Sequence, residues 1–439
     1  MSTRKSQYDE LILESNDQKK SVDIRLGTFS IDYYEDIFSP TVTAKIVVMD
    51  GGDSVVGKDD KLQSIYDGLP LRGGERVSMK IAGNSETNPG LDFATNPKDY
   101  LYVSSISNVI KEAQREIFVL NLVSREAITN ETTRVPGKFP TGSSIDSSVS
   151  KIIKDYLKTE KVGTIDKTSN RYGFIGNLRK PFTVLVWLAS KAVPEESGKA
   201  TAGFVFYQTK DGFEFRSLDN LISQTPKATY TYIQVNQSGV ERNNDFNILE
   251  YSVERNQNLL EKLRLGTYSS YRVFYNPLTF RFTPQSKSVF KLENYVGKAK
   301  NLGQDLKLPK IDNNSEVTLG DIPSRILTQV LDIGTLEKDV SFDQNADPFD
   351  YQSQSIMRYN VLFTQTVTMT VPSNTNLKAG DVIECKFPKI SRGNDKEFDD
   401  EQSGLYMIKE LCHHFDTEGS FTSMKLIRDT FGQYGTNSK

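Results

Sequence analysis

Three residue types are scarce in this chain of 439 residues, which has two cysteines, two histidines and one tryptophan. Cys385 and Cys412 cannot build a disulfide framework, so assembly in a reducing compartment is favoured over secretion. The polar N-terminus lacks the apolar core of a signal peptide, and no apolar run approaches the roughly 18 residues of a membrane span. We therefore expect no membrane anchor.

An excess of positive charge is also missing. The formal net charge of −3 argues against a protein that grips nucleic acid, because a basic surface supplies most of that affinity. With 37% hydrophobic and 25% charged residues, the composition is that of a folded, rather polar protein, and the length predicts two to four domains. The many Tyr and Phe residues favour β-structure.

One stretch has the spacing of a phosphate-binding loop, because Gly52 is followed by Gly57 and Lys58 after a predicted strand, TAKIVVMD. Such a loop needs Ser or Thr directly after the lysine, since that hydroxyl ligates magnesium. Asp59 and Asp60 follow instead, and they would repel a phosphate. We interpret the stretch as a polar loop that leaves a strand, and we predict no nucleotide cofactor.

The two histidines are adjacent, at His413 and His414, with Cys412 before them and Asp416 after them. Neighbouring residues of a strand face opposite sides, so this group would hold one metal only in irregular backbone, and no second Cys/His pair lies at ligand spacing. The pattern predicts one histidine facing inward and one outward. No hydrolase, metalloprotease or dinucleotide motif is present, so we predict no metal site, no catalytic residue and no enzymatic activity.

An internal repeat is the most informative feature. LRGGERVSMKI (71–81) aligns without a gap on LKAGDVIECKF (377–387), and each copy predicts a glycine turn followed by an alternating strand. LYVSSI and then FVLNLVSRE (118–126) follow the first copy, as LYMIKEL and then SMKLIRD (423–429) follow the second. Three matches in one order predict a duplication. Charge or Pro substitutions in the strands 75–81 or 381–387 are expected to break assembly.

Between the copies the pattern changes to a small α+β domain. Helices are predicted at 142–159 and 180–193, and 203–217 predicts a hairpin with its turn at Asp211–Gly212. Trp187 is expected to pack in the core of this domain. We predict that residues 293–355 form an insertion of uncertain structure. Within it, the sequence of 341–355 predicts irregular, turn-rich backbone.

These patterns resemble the baseplate hub proteins of contractile-tailed phages of the T-even type, and they are similar to the N-terminal part of type VI secretion spike proteins. The residues that carry the resemblance are SIDYYEDIFSPTVTAKIVVMD (30–50), GLPLRGGERVSMKI (68–81), FYQTKDGFEFRSLDNL (206–221), LKAGDVIECKFP (377–388) and the closing hairpin within 403–429.

The resemblance implies an α+β, mainly β fold with two tandem tail-tube-like β-barrel domains, the second discontinuous, and an inserted small α+β domain. The expected ranges are 1–134 for the first barrel, 135–228 for the middle domain, 229–292 with 356–431 for the second barrel, 293–355 for the insertion and 432–439 for a tail.

The resemblance also implies a structural hub of the virion tail baseplate, assembled in the cytoplasm of the bacterial host. Three subunits with two barrels each would form a pseudo-six-fold ring, which joins a hexameric tail tube or tube-initiator protein to a trimeric spike. The tape measure protein is a further candidate partner, and phage DNA would only pass through the lumen. Because no lysozyme-like sequence is recognised, we expect the spike and any wall-degrading activity to belong to separate partners. The alternative function is a tail-associated cell-wall hydrolase or carbohydrate-binding protein, which the many Tyr and carboxylate residues allow.

Overall fold

The computed structural model is mainly β. It describes residues 3–56, 61–112, 115–195, 201–233, 245–255, 258–277, 279–284, 288–294, 301–306, 308–312, 314–331, 348–389 and 398–432. Within these ranges, no helix is both long enough and apolar enough to cross a membrane.

An N-terminal β unit comes first, and its strands alternate buried and half-buried residues as expected for sheets with one inner face. Its elements are β1 Tyr8–Glu14, β2 Ser21–Asp23, β3 Thr28–Asp36, β4 Thr43–Asp50, β5 Val55–Val56, β6 Leu62–Gln63, α1 Ile65–Gly68, β7 Arg76–Ala82, β8 Gly90–Asp92, β9 Leu101–Glu112 and β10 Arg115–Val123.

A middle α+β unit follows, with an aromatic core in which Trp187 is partly buried and meets Tyr172 and Phe174 edge-on. Its elements are α2 Arg125–Thr132, β11 Lys138–Phe139, α3 Ile145–Ile152 continued by a π-helical turn Ile153–Leu157, β12 Val162–Ile165, β13 Phe174–Ile175, α4 Pro181–Ala189, β14 Phe204–Thr209, β15 Gly212–Ser217 and α5 Leu218–Ile222.

The C-terminal β unit is interrupted by a separate small sheet. Its elements in chain order are β16 Thr229–Tyr232, β17 Asn247–Ile248, β18 Glu250–Arg255, α6 Leu259–Arg264, β19 Ser269–Asn276, β20 Arg281–Phe282, β21 Val289–Lys291, β22 Ile326–Val330, α7 Pro348–Val361, β23 Gln365–Pro372, β24 Val382–Lys386, β25 Gly404–Asp416 and β26 Ser420–Arg428. The separate sheet has β19 at its centre, with β20, β21 and β22 paired to it.

The two β units have the same strand order. Neighbouring strands run β3–β4–β10–β9–β7–β1–β2 in the first unit and β18–β23–β26–β25–β24–β16–β17 in the second, and both series follow the same order along the chain. Two pairings differ in direction, because β1 is antiparallel to both β7 and β2, whereas β16 is parallel to both β24 and β17. Each unit has its own apolar core.

The repeated glycine turn has the same geometry in both units. Gly74 and Gly380 both have φ of +90°, a left-handed conformation that favours glycine. The Gly74 amide donates to the carbonyl of Val103 at 2.7 Å, and the Gly380 amide donates to that of Ile408 at 2.8 Å. These glycines therefore hold the start of the following strand against the same place on its neighbour.

Four details differ from the predicted ranges. The helix α2 packs with the middle unit, ahead of the predicted boundary at 135, because its Ala127 contacts that core. The described residues between 259 and 292 lie with the separate sheet, because β19 pairs with β22 and, among the described strands, with none of the C-terminal unit. The stretch 341–355, predicted as irregular, overlaps the helix α7, which begins at Pro348 and ends at Val361, and residues 341–347 fall outside the described residues. In the β14–β15 hairpin the loop is Lys210–Asp211, because Gly212 already pairs with Thr209.

Candidate assembly interface

The two β units are joined edge to edge by β3 and β25. These strands pair antiparallel from Asp36 opposite Glu410 to Ser30 opposite Asp416, so the two sheets become one continuous sheet. Next to the Asp36–Glu410 pair, the Ile37 amide donates to the carbonyl of Lys409 at 2.9 Å. We call this pairing the internal junction.

On the outer face of the internal junction, His414 lies between two carboxylates. Its Nδ1 is 2.5 Å from Oδ1 of Asp32 across the junction, and its Nε2 is 3.0 Å from Oδ2 of Asp416. The hydrogen bond with Asp32 is the main cause that raises the pKa of His414 to about 9. At the other end, Nζ of Lys409 lies 2.6 Å from Asp36 and 3.2 Å from Glu410, so one ammonium screens two opposed carboxylates.

On the inner face, Glu35 ties three parts of the molecule together. Its buried carboxylate accepts hydrogen bonds from the Tyr33 hydroxyl at 2.9 Å, the Lys210 amide at 2.6 Å and the Ala379 amide at 2.9 Å. Lys210 is in the hairpin loop of the middle unit and Ala379 is in the glycine turn of the C-terminal unit. Burial raises the pKa of Glu35 to about 7, although the three donors oppose that change.

The adjacent histidines face opposite sides, as predicted. His413 is fully buried, lies parallel to the Tyr33 ring at 6.2 Å, and its Nδ1 is 3.0 Å from the Thr422 hydroxyl. Burial lowers the pKa of His413 to about 3 and raises that of Cys412 to about 12. In the part of the chain that the structure describes, no group of three His, Cys, Asp or Glu residues could hold a metal ion.

The loop with phosphate-binding spacing is only partly visible. The strand before it is β4, as predicted, and Gly52 lies just beyond that strand with φ of +88°. Gly57, Lys58, Asp59 and Asp60 fall outside the described residues. The interpretation as a polar loop therefore stays a prediction.

A second pair of strand edges repeats the two that form the internal junction. In the common strand order, β9 corresponds to β25 and β18 corresponds to β3. Beyond Tyr102, β9 pairs on one side only, with β10, and β18 pairs only with β23 among the described strands. By contrast, β7 and β24 have neighbours on both sides, so the repeat strands that were expected near an interface lie inside the sheets.

The middle unit is fastened to the C-terminal unit by a buried ion group. Arg358 of α7 lies 2.7 Å from Asp219 of α5 and 3.5 Å from Asp429, which follows β26. All three side chains are almost fully buried. An arginine that holds two buried carboxylates from different units fixes their relative position.

Comparisons with known proteins fit this architecture. No protein-family model matches the sequence. The probable baseplate hub protein gp334 of Vibrio phage KVP40 is 22% identical over 297 residues, which cover 65% of this chain and 66% of the relative. The match thus spans just under two thirds of the curated relative. The resemblance to a phage baseplate hub protein, predicted from the sequence, is confirmed.

Two solved structures share the fold over nearly the whole chain. The tail protein from Neisseria meningitidis MC58 aligns with a TM-score of 0.52 and 11% identity, covering 96% of this chain and 96% of that chain. The 43 kDa tail protein of prophage MuSo2 from Shewanella oneidensis aligns with a TM-score of 0.50 and 9% identity, covering 96% of this chain and 98% of that chain. The predicted mainly β fold is therefore that of phage-type tail proteins.

Proposed function

We propose that this chain is a structural hub protein of a contractile phage tail baseplate. Three copies form a ring in which six β units alternate around one axis. The ring joins a hexameric tail tube to a trimeric central spike. Its place is the virion baseplate, after assembly in the cytoplasm of the bacterial host, and it performs no catalysis.

The internal junction is the observation that carries this proposal. It places one β unit against a second unit of the same strand order through β3 and β25. Repeating that step uses β18 and β9, which are the equivalent strands that the internal junction leaves unpaired on one side among the described strands. A contact between two different surfaces builds a ring when its rotation closes, and the ring leaves no open end.

Duplication explains why one chain can serve two symmetries. The shared strand order and the matching turns at Gly74 and Gly380 support two tail-tube-like barrels that arose from one ancestor. Three chains then present six similar β units to a hexameric tube. The middle unit and the β19 sheet occur once per chain, so they present three-fold surfaces that suit a trimeric spike.

The remaining partners follow from this position in the tail. A tape measure protein would occupy the lumen before DNA does, and phage DNA would only pass through. A chain with a net charge of −3 suits that passage, because a strongly basic lumen would hold the phosphates.

The native mass of the purified chain tests the proposal. Light scattering should give three times the chain mass of 49.5 kDa, and electron microscopy of the same fraction should show rings with three-fold and near six-fold features. If the chain stays monomeric both alone and with candidate spike proteins, the ring proposal is wrong.

A further inference from the structure

The internal junction has a register that can be carried over to the free edges. Cys412 of β25 lies directly opposite Tyr34 of β3. The Ile37 amide donates to the carbonyl of Lys409, the residue directly across from it, so these two form a hydrogen-bonded pair. Hydrogen-bonded and non-hydrogen-bonded pairs alternate along an antiparallel ladder, so Tyr34 and Cys412, three pairs further on, form a non-hydrogen-bonded pair. In such pairs the Cα atoms are about 4.5 Å apart and the side chains are close.

A β-bulge fixes the equivalence of β9 with β25. The pairing with the next strand skips Ser104 in β9, and it skips Lys409 in β25. The bulges lie one residue beyond Val103 and Ile408, whose carbonyls accept the hydrogen bonds from the amides of Gly74 and Gly380. Counted from the bulge, Ser107 is therefore the equivalent of Cys412.

The pairings across the sheets fix the equivalence of β18 with β3. In the first unit, Tyr33 lies opposite Ala44, which lies opposite Leu122. In the second unit, Val253 lies opposite Val367, which lies opposite Leu426. Leu122 lies opposite Val103 and Leu426 lies opposite Ile408, and each of these partners directly precedes the bulge of its strand. Leu122 and Leu426 are therefore equivalent, and so Val253 corresponds to Tyr33. The next residue, Glu254, then corresponds to Tyr34.

We propose that β9 of one copy pairs antiparallel with β18 of the next copy, with Ser107 directly opposite Glu254. We call this pairing the seam. The inference rests on the proposed ring and specifies which edges close it and in which register. The occupant of each free edge is a second copy of this chain, because the chain already makes the equivalent pairing within itself.

The exposed residues of β9 fit a covered edge. Val109 is 39% exposed and Ile110 is 54% exposed, and both lie on the part of β9 that has β10 as its one neighbour among the described strands. An unpaired edge strand with apolar side chains is a template for pairing with another chain. Between Ser107 and Ile110 the pairing of β9 with β10 has a second irregularity, in which β9 has one extra residue, so the residue of β25 equivalent to Ile110 is His414, which the internal junction covers in part. The seam would cover Ile110 in the same way.

Disulfide trapping tests the register directly. Ser107→Cys and Glu254→Cys are combined with Cys412→Ser, and the protein is oxidised mildly as the full chain. A non-hydrogen-bonded pair has Cα spacing within the range of disulfides, so most of the protein should become a covalent trimer that reduction returns to monomers. Tyr34→Cys with native Cys412 is the matched control, because it should form the equivalent bond within one chain and leave the size unchanged.

The outcomes separate the seam from the ring. A covalent trimer supports the seam, especially if Ser105→Cys with Glu254→Cys, two residues out of register, gives a much lower yield. A trimer by light scattering that forms no bond, although the control bond forms, overturns the seam and leaves the hub proposal standing. A chain that stays monomeric both alone and with candidate spike proteins overturns both.

Discussion

The ion pairs of His414 make the stability of the internal junction depend on pH. His414 bridges Asp32 of β3 and Asp416 of β25, and its pKa is raised to about 9 from a usual value of 6.5. A raised histidine pKa means that the folded state holds the proton more tightly than the unfolded state. The stabilisation is therefore complete below about pH 6.5 and is lost as the pH rises through about 9.

The size of this contribution follows from the pKa change and the exposure. A change from 6.5 to about 9 corresponds to about 3 kcal/mol. The His414 side chain is 32% exposed, and solvent weakens such pairs, so we expect about 1–2 kcal/mol. His414→Gln removes the charge, so the variant should be less stable at about pH 6 and should match the wild type near pH 10.

Denaturant unfolding of wild type and His414→Gln at several pH values measures this difference. Lys425→Gln is the matched control, because Lys425 lies on neighbouring β26 opposite Glu410 and its replacement leaves the His414 bridge intact. The reasoning fails if wild type and His414→Gln lose stability in parallel between about pH 6 and pH 9.

Three further substitutions have expected outcomes of other kinds. Glu35→Ala leaves a buried amide, a partly buried amide and a buried hydroxyl without their acceptor, so urea unfolding should show a loss of about 3–5 kcal/mol, and a loss under 1 kcal/mol would contradict the assigned hydrogen bonds. Arg358→Met leaves the buried carboxylates of Asp219 and Asp429 without their positive partner, so the unfolding free energy should fall by about 3–5 kcal/mol. Replacing one of these aspartates by asparagine should restore part of the loss. Ser107→Glu places a second carboxylate opposite Glu254 and should cost up to about 1 kcal/mol at each of the three seams. Sedimentation should therefore show the dissociation constant of the trimer raised by as much as about a hundred-fold. Adding Glu254→Lys should restore the trimer, and a trimer indifferent to both changes would contradict the seam.

Local features of the fold could be predicted from the sequence. The turns at Gly74 and Gly380 came from an eleven-residue pattern, because a left-handed glycine followed by an alternating strand is specified within a few residues. The opposite facing of His413 and His414 followed from the two-residue period of a strand. The helix α7 was missed because Ser353, Ser355 and Arg358 are among its buried residues, so no apolar stripe marks it.

The internal junction could not be predicted from one sequence. Asp32 and His414 are 382 residues apart, and nothing in their local patterns specifies each other. Glu35 was missed for the same reason, since its donors come from a hairpin loop and a turn far along the chain. In an alternating strand, the sequence alone does not distinguish a buried glutamate from a polar residue that faces solvent, because the elements that cover that face of the sheet are not known.

The two pairings that would build the ring face different physical demands. The internal junction forms within one molecule, where the covalent link gives a high effective concentration, so it can include the buried Glu35 and its donors from two other units. The seam must form between copies and stay open in a free chain. The edge of β9 carries protection suited to that state, because Asn108 interrupts the strand with φ of +53° and the charged Lys111 and Glu112 end it. An edge that is irregular and charged at its end resists pairing with arbitrary strands, while β18 of another copy meets it in the register that the internal junction already uses. The same strand pairing would thus form permanently within the chain, as the internal junction, and selectively between copies, as the seam.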